Sequence, residues 1–400
     1  MKAKITCCLG LMIIFGSTAA AQQLAPGGGY SCGTPATLSP VSRTAIVNWP
    51  KYHFDLCNSG YNPYESILSA NNLGKLAVKW TFKTGSSIES APAVVSGRIY
   101  FGSEDNSVYA LNARTGEFVW KYTTGSWVVG SPAVVNGVVY IGSEDTNFYA
   151  LNADTGALIW KYPHGYSSPT VANGLVYIGC GNDEVCALNA STGTLVWAVH
   201  TGGEVSSSPA VANGVVYVTS SSDNLFALRA ATGVLVWRIN LVGLYSYTSP
   251  AVWGAKVFAG CSGTAYGEGV EFAFDALHGE GGWSYDPTAF DVSDATVANG
   301  IVYFSARGSL YSSLFARDAG TGELLWNKPG EGGSSPMVAN GVLYVEQSSH
   351  HLLAFDAKTG DLLWTDPIGF RSDSSPVVVN GMLYIGAYDG TMYAFGLPAE

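Results

Sequence analysis

The stretch Ala110-Leu-Asn-Ala-Arg-Thr-Gly-Glu-Phe-Val-Trp120 decides the fold, because it returns six more times before the C-terminus. Every copy keeps glycine at the seventh place and tryptophan at the eleventh. The copies are Ala150–Trp160, Ala187–Trp197, Ala227–Trp237, Ala273–Trp283, Ala316–Trp326 and Ala354–Trp364. A repeat of about 40 residues is typical of a solenoid or a propeller, in which each unit buries its apolar surface against its neighbours.

Each repeat predicts four short strands. In the second repeat, Ser131–Val134 is followed by the turn Asn136-Gly137 and by Val138–Gly142; after an acidic turn come Tyr149–Asn152 and Leu158–Trp160. Asn and Gly tolerate the positive φ that a type I′ turn needs, so tight antiparallel hairpins join these strands. The repeat therefore predicts a four-stranded antiparallel blade.

The two ends of the repeat array complement each other. The last repeat begins at Ser374 and supplies three strands, through Phe395, while Leu76–Phe82 is a lone strand that carries Trp80 at its centre. Pairing that strand with the last blade closes the ring and removes two free sheet edges. We predict an all-β, eight-bladed propeller over residues 76–400, closed by the strand around Trp80.

The N-terminus predicts export. Lys2 and Lys4 precede an apolar run from Ile5 to Phe15 and the small residues Ala19–Ala21, which together indicate a signal peptide over residues 1–21. No later apolar run is long enough to cross a bilayer. We expect a secreted or periplasmic protein, with residues 22–75 as an irregular lead that packs on the propeller.

The charge of the chain restricts its partners. The formal net charge is −11, and no block of consecutive basic residues occurs. Nucleic acid is therefore excluded as a partner, because binding it requires a basic surface. We expect a monomer without a transmembrane segment.

The repeat resembles the tryptophan-docking motif of the pyrroloquinoline-quinone (PQQ) type of eight-bladed propeller. The matching residues are Ala110, Asn112, Gly116 and Trp120, and the resemblance extends over Trp49–Leu397. Asp275, Asp318 and Asp356 show the acidic form of the motif in later repeats. The resemblance implies that each tryptophan ring stacks between blades, with its indole N–H bonded to backbone, so the repeated residues are structural.

Two functional classes share the propeller that this chain resembles. Quinoprotein dehydrogenases hold quinone and calcium at the ring axis, beside a catalytic carboxylate, whereas envelope scaffolds that help to insert outer-membrane barrels are non-catalytic. Many of the alcohol dehydrogenases carry an adjacent cysteine pair, and here the only such pair, Cys7-Cys8, lies in the predicted signal peptide. We therefore expect a binding or assembly module without a cofactor, with a PQQ- and calcium-dependent alcohol or sugar dehydrogenase as the alternative.

One repeat breaks the pattern near the axis. Most inner strands begin with Ser-Pro or Ala-Pro, but the sixth begins with Asp294-Ala295, and Asp291 lies just before it. Two carboxylates at the channel mouth would suit a calcium ion or proton abstraction, so Asp291 and Asp294 are the candidate catalytic or calcium residues of the enzyme alternative. The other interpretation is a solvated acidic loop. Residues Gly263–Glu271 are predicted to form an enlarged loop in the fifth repeat.

The loops that join one blade to the next predict a ligand face. They share this face with the acidic turns Glu104-Asp105, Glu144-Asp145, Asp183-Glu184 and Asp389, whose potential favours cationic partners. Aromatic and hydrogen-bonding groups together suit a protein, peptide or carbohydrate, unless the aromatic rings fold inward. The loop residues are Glu89, Trp127, Tyr166, Glu204, Tyr245, Tyr247, Phe290, Phe370 and Arg371.

The remaining cysteine and histidine residues suggest structural roles. Cys32 and Cys57 are candidates for a disulfide that holds the lead, although the sequence leaves the connectivity open. Cys180 and Cys186 flank a hairpin turn and can pair if both side chains lie on one face. Cys261 is interpreted as a small buried hydrophobe, and His350-His351 as surface variation.

Overall fold

The strands are short runs of β-branched and aromatic residues separated by turns that need positive φ, as at Asn136 and Gly137, with φ of 51° and 77°. The computed structural model describes residues 32, 47–165, 167–241, 247–262, 269–308, 312–347, 349–366, 369 and 371–398. The predicted signal peptide and most of residues 22–46 lie outside these ranges. Within them, no helix is long and apolar enough to span a membrane.

Eight sheets follow one another along the chain, and each is a blade. Blade 1 contains Ala93–Val95, Arg98–Ser103, Ser107–Asn112 and Phe118–Thr123, and blade 2 contains Ala133–Val135, Val138–Gly142, Asn147–Asn152 and Leu158–Pro163. Blade 3 contains Thr170–Ala172, Leu175–Cys180, Glu184–Asn189 and Leu195–His200, and blade 4 contains Ala210–Ala212, Val215–Ser220, Asn224–Arg229 and Leu235–Asn240. In each blade the first strand is the inner one and the last is the outer one.

The later blades keep this order with small additions. Blade 5 contains Ala251–Trp253, Lys256–Cys261, Gly269–Asp275 and Trp283–Ala289. Blade 6 contains Thr296–Ala298, Ile301–Arg307, Ser312–Asp318 and Leu324–Pro329, with Asp291–Val292 added antiparallel to the far end of its second strand. Blade 7 contains Met337–Ala339, Val342–Glu346, Leu352–Asp356 and Leu362–Thr365, with Tyr61–Asn62 added parallel to its inner strand. Blade 8 contains Val377–Val379, Met382–Gly386, Thr391–Gly396 and Ala77–Lys83.

The ring closes through blade 8. Ala77–Lys83 pairs antiparallel with Thr391–Gly396 and places Trp80 opposite Ala394. The short 3₁₀ helix Leu73–Lys75 comes just before this strand, and Leu73 joins the core cluster of Trp364 from blade 7. The predicted all-β, eight-bladed fold and its closure by the strand around Trp80 are confirmed.

The repeated tryptophan links neighbouring blades, and the described residues show its indole bond at seven of the eight junctions. The indole N–H of Trp120 donates to the carbonyl oxygen of Ala153 at 2.9 Å, and the Tyr100 hydroxyl donates to the same oxygen at 3.2 Å. A β-carbon at Gly156 would lie 2.7 Å from the Trp120 ring, so glycine is required there. The same indole bond joins Trp80 to Ala113, Trp160 to Ala190, Trp197 to Ala230, Trp237 to Ala276, Trp283 to Ala319 and Trp326 to Ala357.

Residues 49–62, which we call the axial plug, run along the inner wall of the ring. At six blades, the middle residue of the inner strand donates its backbone N–H to a plug carbonyl, which satisfies donors that no strand could reach. The bonds run from Val94 to Trp49, Val134 to Pro50, Val211 to Leu56, Val252 to Cys57, Val297 to Ser59 and Val338 to Gly60, with N···O distances of 2.6 to 2.9 Å.

The axial plug is held together by a buried amine and a disulfide. Lys51 Nζ donates to the carbonyl oxygens of Tyr52 and Asp55, at 2.7 and 3.2 Å, and to Oδ1 of Asn58. Burial lowers the pKa of Lys51 to about 7. Cys57 is bonded to Cys32, so the disulfide suggested for the lead is present in the structure.

Candidate functional site: the loop face and its axial mouth

The blade-to-blade loops and the acidic hairpin turns lie on one side of the ring, which we call the loop face. Backbone bonds tie them directly, since Glu144 N–H donates to Trp127 O at 2.8 Å and Tyr388 N–H donates to Arg371 O at 2.9 Å. Glu104 N–H donates to Ser87 O in the same way. The axial end of this face, where the inner strands begin, is the axial mouth.

Serine hydroxyls join neighbouring inner strands at the axial mouth. Ser131 Oγ accepts the backbone N–H of Ala91, and Ser249 Oγ accepts that of Ser208, both at 2.9 Å. In blade 6 the acceptor is Asp294, whose Oδ1 lies 2.8 Å from the N–H of Ser249. Asp294 therefore takes over a structural bond that serine makes elsewhere.

The second oxygen of Asp294 is also occupied. The hydroxyl of Tyr52, from the axial plug, donates to Asp294 Oδ2 at 2.8 Å and lies 3.4 Å from Ser335 Oγ. Burial raises the pKa of the Asp294 carboxyl. The hydrogen bonds that Asp294 accepts from the Ser249 N–H and the Tyr52 hydroxyl oppose that shift. Asp294 thus connects the plug, blade 5 and blade 6.

Asp291 has separate partners. Its Oδ2 forms a 3.0 Å ion pair with Arg307, and its Oδ1 accepts a 2.6 Å hydrogen bond from Ser262. Asp291 and Asp294 are close enough to interact electrostatically, since Asp291 contributes to the raised pKa of Asp294. Their carboxylates do not share a partner in the described structure.

A third carboxyl, Glu271, lies inside the wall. Residues Gly263–Glu271 were predicted to form one loop, but Gly269–Asp275 is a strand, so the loop prediction is wrong for its last three residues. Glu271 has no exposed surface, and neither carboxyl oxygen has a hydrogen-bond partner among the described residues. Burial, with a smaller contribution from Asp294, raises the pKa of Glu271 well above its ordinary range.

Glu346 in blade 7 is a fourth carboxyl near the axial mouth. Burial raises its pKa to about 8, while the backbone N–H of Ser372, 3.2 Å from Oε1, and the nearby Arg307 and Arg371 lower it. Glu346 is the last residue of the second strand of blade 7, and the equivalent residue in blade 2 is Gly142. Blades 5, 6 and 7 therefore each carry a carboxyl group that the repeat does not predict.

Those predicted ligand residues that the structure describes are distributed around the loop face. Trp127 is 54% exposed and Tyr247 is 49% exposed, so both rings point outward. The Arg371 guanidinium lies 4.6 Å from the centre of the Tyr388 ring, and the Tyr388 hydroxyl donates to Asp373. Glu204 is exposed, and Glu89 and Phe290 are half-buried; Tyr166, Tyr245 and Phe370 lie outside the described residues.

Glu89 belongs to an acidic group on this face. Its pKa is raised, first by burial and then by the neighbouring carboxylates Glu104 and Asp373. Like charges this close favour a cation between or above them.

The second cysteine pair is a disulfide. Cys180 lies opposite Glu184 in the hairpin, which places Cys180 and Cys186 on the same face of the strands, and the two are bonded. Glu184 completes a group of three possible metal ligands, but the sulfur atoms are bonded to each other and are not the thiolates that bind zinc. Cys261 is a buried free thiol, and His351 lies 3.4 Å from Asp366.

Sequence reasoning missed four residues of the axial mouth, namely Tyr52, Glu271, Arg307 and Glu346. A signal existed for Glu271. Aligning the repeats on Ala273 places it at a position that is apolar in the other blades, such as Val108, Phe148 and Leu225. Tyr52 lay in an irregular segment that no repeat could align.

The fold and the axial mouth define an eight-bladed propeller of the PQQ-like repeat type. The chain belongs to the family described as outer membrane protein assembly factor BamB, whose sequence profile matches residues 68–167, 164–285 and 267–397. No curated protein matches the chain in sequence.

Solved structures of both functional classes are similar to this chain. BamB from Moraxella catarrhalis has 18% identity and a TM-score of 0.67, over 81% of this chain and 98% of that one. A quinohemoprotein alcohol dehydrogenase, ADHIIG from Pseudomonas putida HK5, has 18% identity and a TM-score of 0.72, over 88% and 81%. A europium-containing methanol dehydrogenase has 16% identity and a TM-score of 0.73, over 89% and 99%. At these identities the likeness shows the fold alone.

Proposed function

We propose that this protein is an exported, non-catalytic binding propeller whose loop face holds a basic protein partner in the cell envelope. One observation carries the proposal. The axial carboxylate Asp294 is used inside the fold, by Ser249 and Tyr52, while Trp127 is exposed on the loop face together with the acidic residues Glu144, Asp183 and Asp389. An exposed tryptophan beside like-charged groups is a typical anchor for a charged partner.

The charge distribution supports a basic partner. Glu89, Glu104 and Asp373 crowd together on the loop face, and the guanidinium of Arg371 is stacked on Tyr388. Lysine or arginine side chains would relieve that crowding on contact. This electrostatic contribution should be strongest at low salt and should fall as screening increases.

The enzyme alternative requires residues that can hold a calcium-bound quinone. Calcium takes six to eight oxygen ligands. Asp291 is paired with Arg307 and Ser262, Asp294 is paired with Ser249 and Tyr52, and Glu271 is fully buried in the wall. This arrangement argues against such a centre, because Asp291 and Asp294 would first have to give up their partners and Glu271 is fully buried.

Site-specific photo-crosslinking tests the proposal. Trp127 is replaced by p-benzoylphenylalanine, and Phe118, which is 56% exposed on the outer strand of blade 1, is replaced as the matched control. In an envelope extract from the source cells, we expect one polypeptide to crosslink at position 127 and not at 118. Raising salt from about 50 to about 500 mM should weaken it, as should Glu104→Lys.

Two outcomes would count against the proposal. Equal crosslinking at both positions would mean that exposure alone is responsible. A crosslink at position 127 that is unaffected by salt and by Glu104→Lys would remove the charge complementarity on which the proposed partner rests.

A further inference from the structure

A cavity of about 360 Å³ lies between blades 2 and 3, on the side of the Asn-Gly turns and opposite the loop face. Its apolar wall includes Leu56 of the axial plug, Val135 and Val171. Its polar rim is formed by Asn136 and Asn173, the first residues of the two turns. The cavity is therefore independent of the proposed partner face.

The axial plug explains why the cavity exists. The plug leaves the wall at Pro50, where it accepts the N–H of Val134, and returns at Leu56, where it accepts that of Val211. Between these points, residues 51–55 turn inward around the Lys51 amine. The plug thus passes blade 3 without bonding to its inner strand.

The inner strand of blade 3 presents the same donor as its neighbours. Val171 lies opposite Val176, as Val134 lies opposite Val139 in blade 2, so its N–H points to the axis in the same way. At six other blades, this N–H donates to a backbone carbonyl of the axial plug. Val171 lines the cavity, and within the described ranges no residue accepts its N–H.

Asparagines at the equivalent turns of other blades hydrogen-bond to the backbone of segments from outside the blade. In blade 8, Asn380 Oδ1 accepts the N–H of Val47 and Asn380 Nδ2 donates to the carbonyl of Val47, both at 2.8 Å. In blade 7, Asn340 Nδ2 donates to Leu68 O at 2.9 Å. The same residue type at the rim of the cavity can hold a peptide backbone by the same pair of bonds.

We propose that the cavity between blades 2 and 3 docks a short extended peptide segment of another protein. One peptide carbonyl accepts the N–H of Val171, the amide of Asn173 holds the backbone of a neighbouring residue, and one small apolar side chain contacts Leu56 and Val135. This is backbone addition to an open strand, with a pocket for one side chain. The bonds of the axial plug to the inner strands are the template for the first contact, and those of Asn380 to Val47 and Asn340 to Leu68 are the template for the second.

Hydrogen exchange measured by NMR tests the proposal, with acetyl-Gly-Ser-Val-Ser-Gly-amide as the probe. In the free protein, the amide of Val171 should exchange faster than those of Val134 and Val211, which are bonded to the plug. Adding the peptide should slow exchange at Val171 and leave Val134 and Val211 unchanged. If Val171 is already as protected as Val211 in the free protein, the proposal is overturned.

A matched pair of variants locates the peptide. Asn173→Ala should weaken binding about three- to tenfold, the loss of one or two hydrogen bonds. Asn213→Ala changes the corresponding turn of blade 4, at nearly the same φ (50° against 51°), and should leave binding unchanged. Ala172→Leu, which fills the cavity, should abolish binding. Equal weakening by Asn173→Ala and Asn213→Ala, or full binding to Ala172→Leu, would overturn the proposal.

Discussion

The hydroxyl of Tyr52 donates a 2.8 Å hydrogen bond to Oδ2 of Asp294, across 242 positions of the sequence. This bond ties the axial plug to the one inner strand that begins with aspartate instead of serine or alanine. The longer acidic side chain reaches both the neighbouring blade and the plug, which a serine could not do. The departure from the repeat therefore has a structural role at the axis.

Replacing Asp294 should reveal that role. Asp294→Ala leaves the Ser249 N–H without its acceptor and leaves the Tyr52 hydroxyl the long 3.4 Å contact with Ser335 in place of its 2.8 Å bond, so it should lower the free energy of unfolding by about 3 kcal/mol. Asp294→Ser keeps the inter-blade bond of the other repeats and should cost about 1 kcal/mol. Urea unfolding of both variants measures the difference. Equal losses would show that the inter-blade bond to Ser249 contributes nothing.

The buried carboxyl of Glu346 should make stability depend on pH. Its pKa is about 8 in the folded protein and 4.5 in a solvated chain, so the folded state holds a proton that the unfolded state releases. The unfolding free energy should fall as pH rises from about 5 to about 8, by up to about 1.4 kcal/mol per pH unit. Glu346→Gln should remove this contribution.

The matched control for that measurement is Glu144→Gln, an exposed glutamate on the same face. Unfolding is followed in urea at pH 5, 6, 7 and 8. Each variant is compared with the wild type, because Lys51, whose pKa is lowered to about 7, makes the unfolding free energy rise with pH above pH 7 in all of these proteins. Glu271, whose pKa is also raised, contributes the same slope to the wild type and to Glu346→Gln. If Glu346→Gln changes the pH dependence of the unfolding free energy no more than Glu144→Gln does, Glu346 is solvated.

Two glycines with the same backbone conformation should respond differently to alanine. Gly156 and Gly137 have φ of 73° and 77°, but a β-carbon at Gly156 would lie 2.7 Å from Trp120, whereas one at Gly137 meets nothing within 4 Å. Gly137→Ala should cost about 1 kcal/mol, for backbone strain alone. Gly156→Ala should cost about 3 kcal/mol, because the inter-blade packing must also shift. Thermal and urea unfolding compare the two, and similar losses would contradict the packing role of the tryptophan.

The two disulfides should differ in their effect on stability. Cys32–Cys57 closes a separation of 25 residues and Cys180–Cys186 one of 6, so the first constrains the unfolded chain more. Replacing both cysteines of a pair with serine should cost about 3 kcal/mol for Cys32–Cys57 and about 2 kcal/mol for Cys180–Cys186. Urea unfolding of the two double variants tests the order, and the reverse order would show that the plug is not held by its disulfide.

The sequence predicts the blades well because each repeat carries its own turn, strand and tryptophan signals. Positions such as Gly156 and Trp120 repeat, and their contacts repeat with them. Closure by the strand around Trp80 follows from a missing fourth strand at the other end.

The axial plug could not be predicted in the same way. Its bonds to Val94, Val134 and the other inner strands use backbone carbonyls, which any residue supplies, so no side-chain pattern marks them. Glu271 was misplaced for a different reason. The connection before its strand matches no other repeat, so the sequence does not mark where the loop ends. The predicted loop Gly263–Glu271 therefore included the first three residues of the strand Gly269–Asp275.

Titration of the purified protein with PQQ and calcium, followed by the quinone absorbance spectrum and dye-linked alcohol and sugar oxidation, tests the central claim most directly. We predict no stoichiometric quinone binding and no dye reduction, because Asp294 and Asp291 are bound to Ser249, Tyr52 and Arg307 within the fold. Tight one-to-one quinone binding with substrate oxidation that Asp294→Ala abolishes would contradict the claim and establish the enzyme.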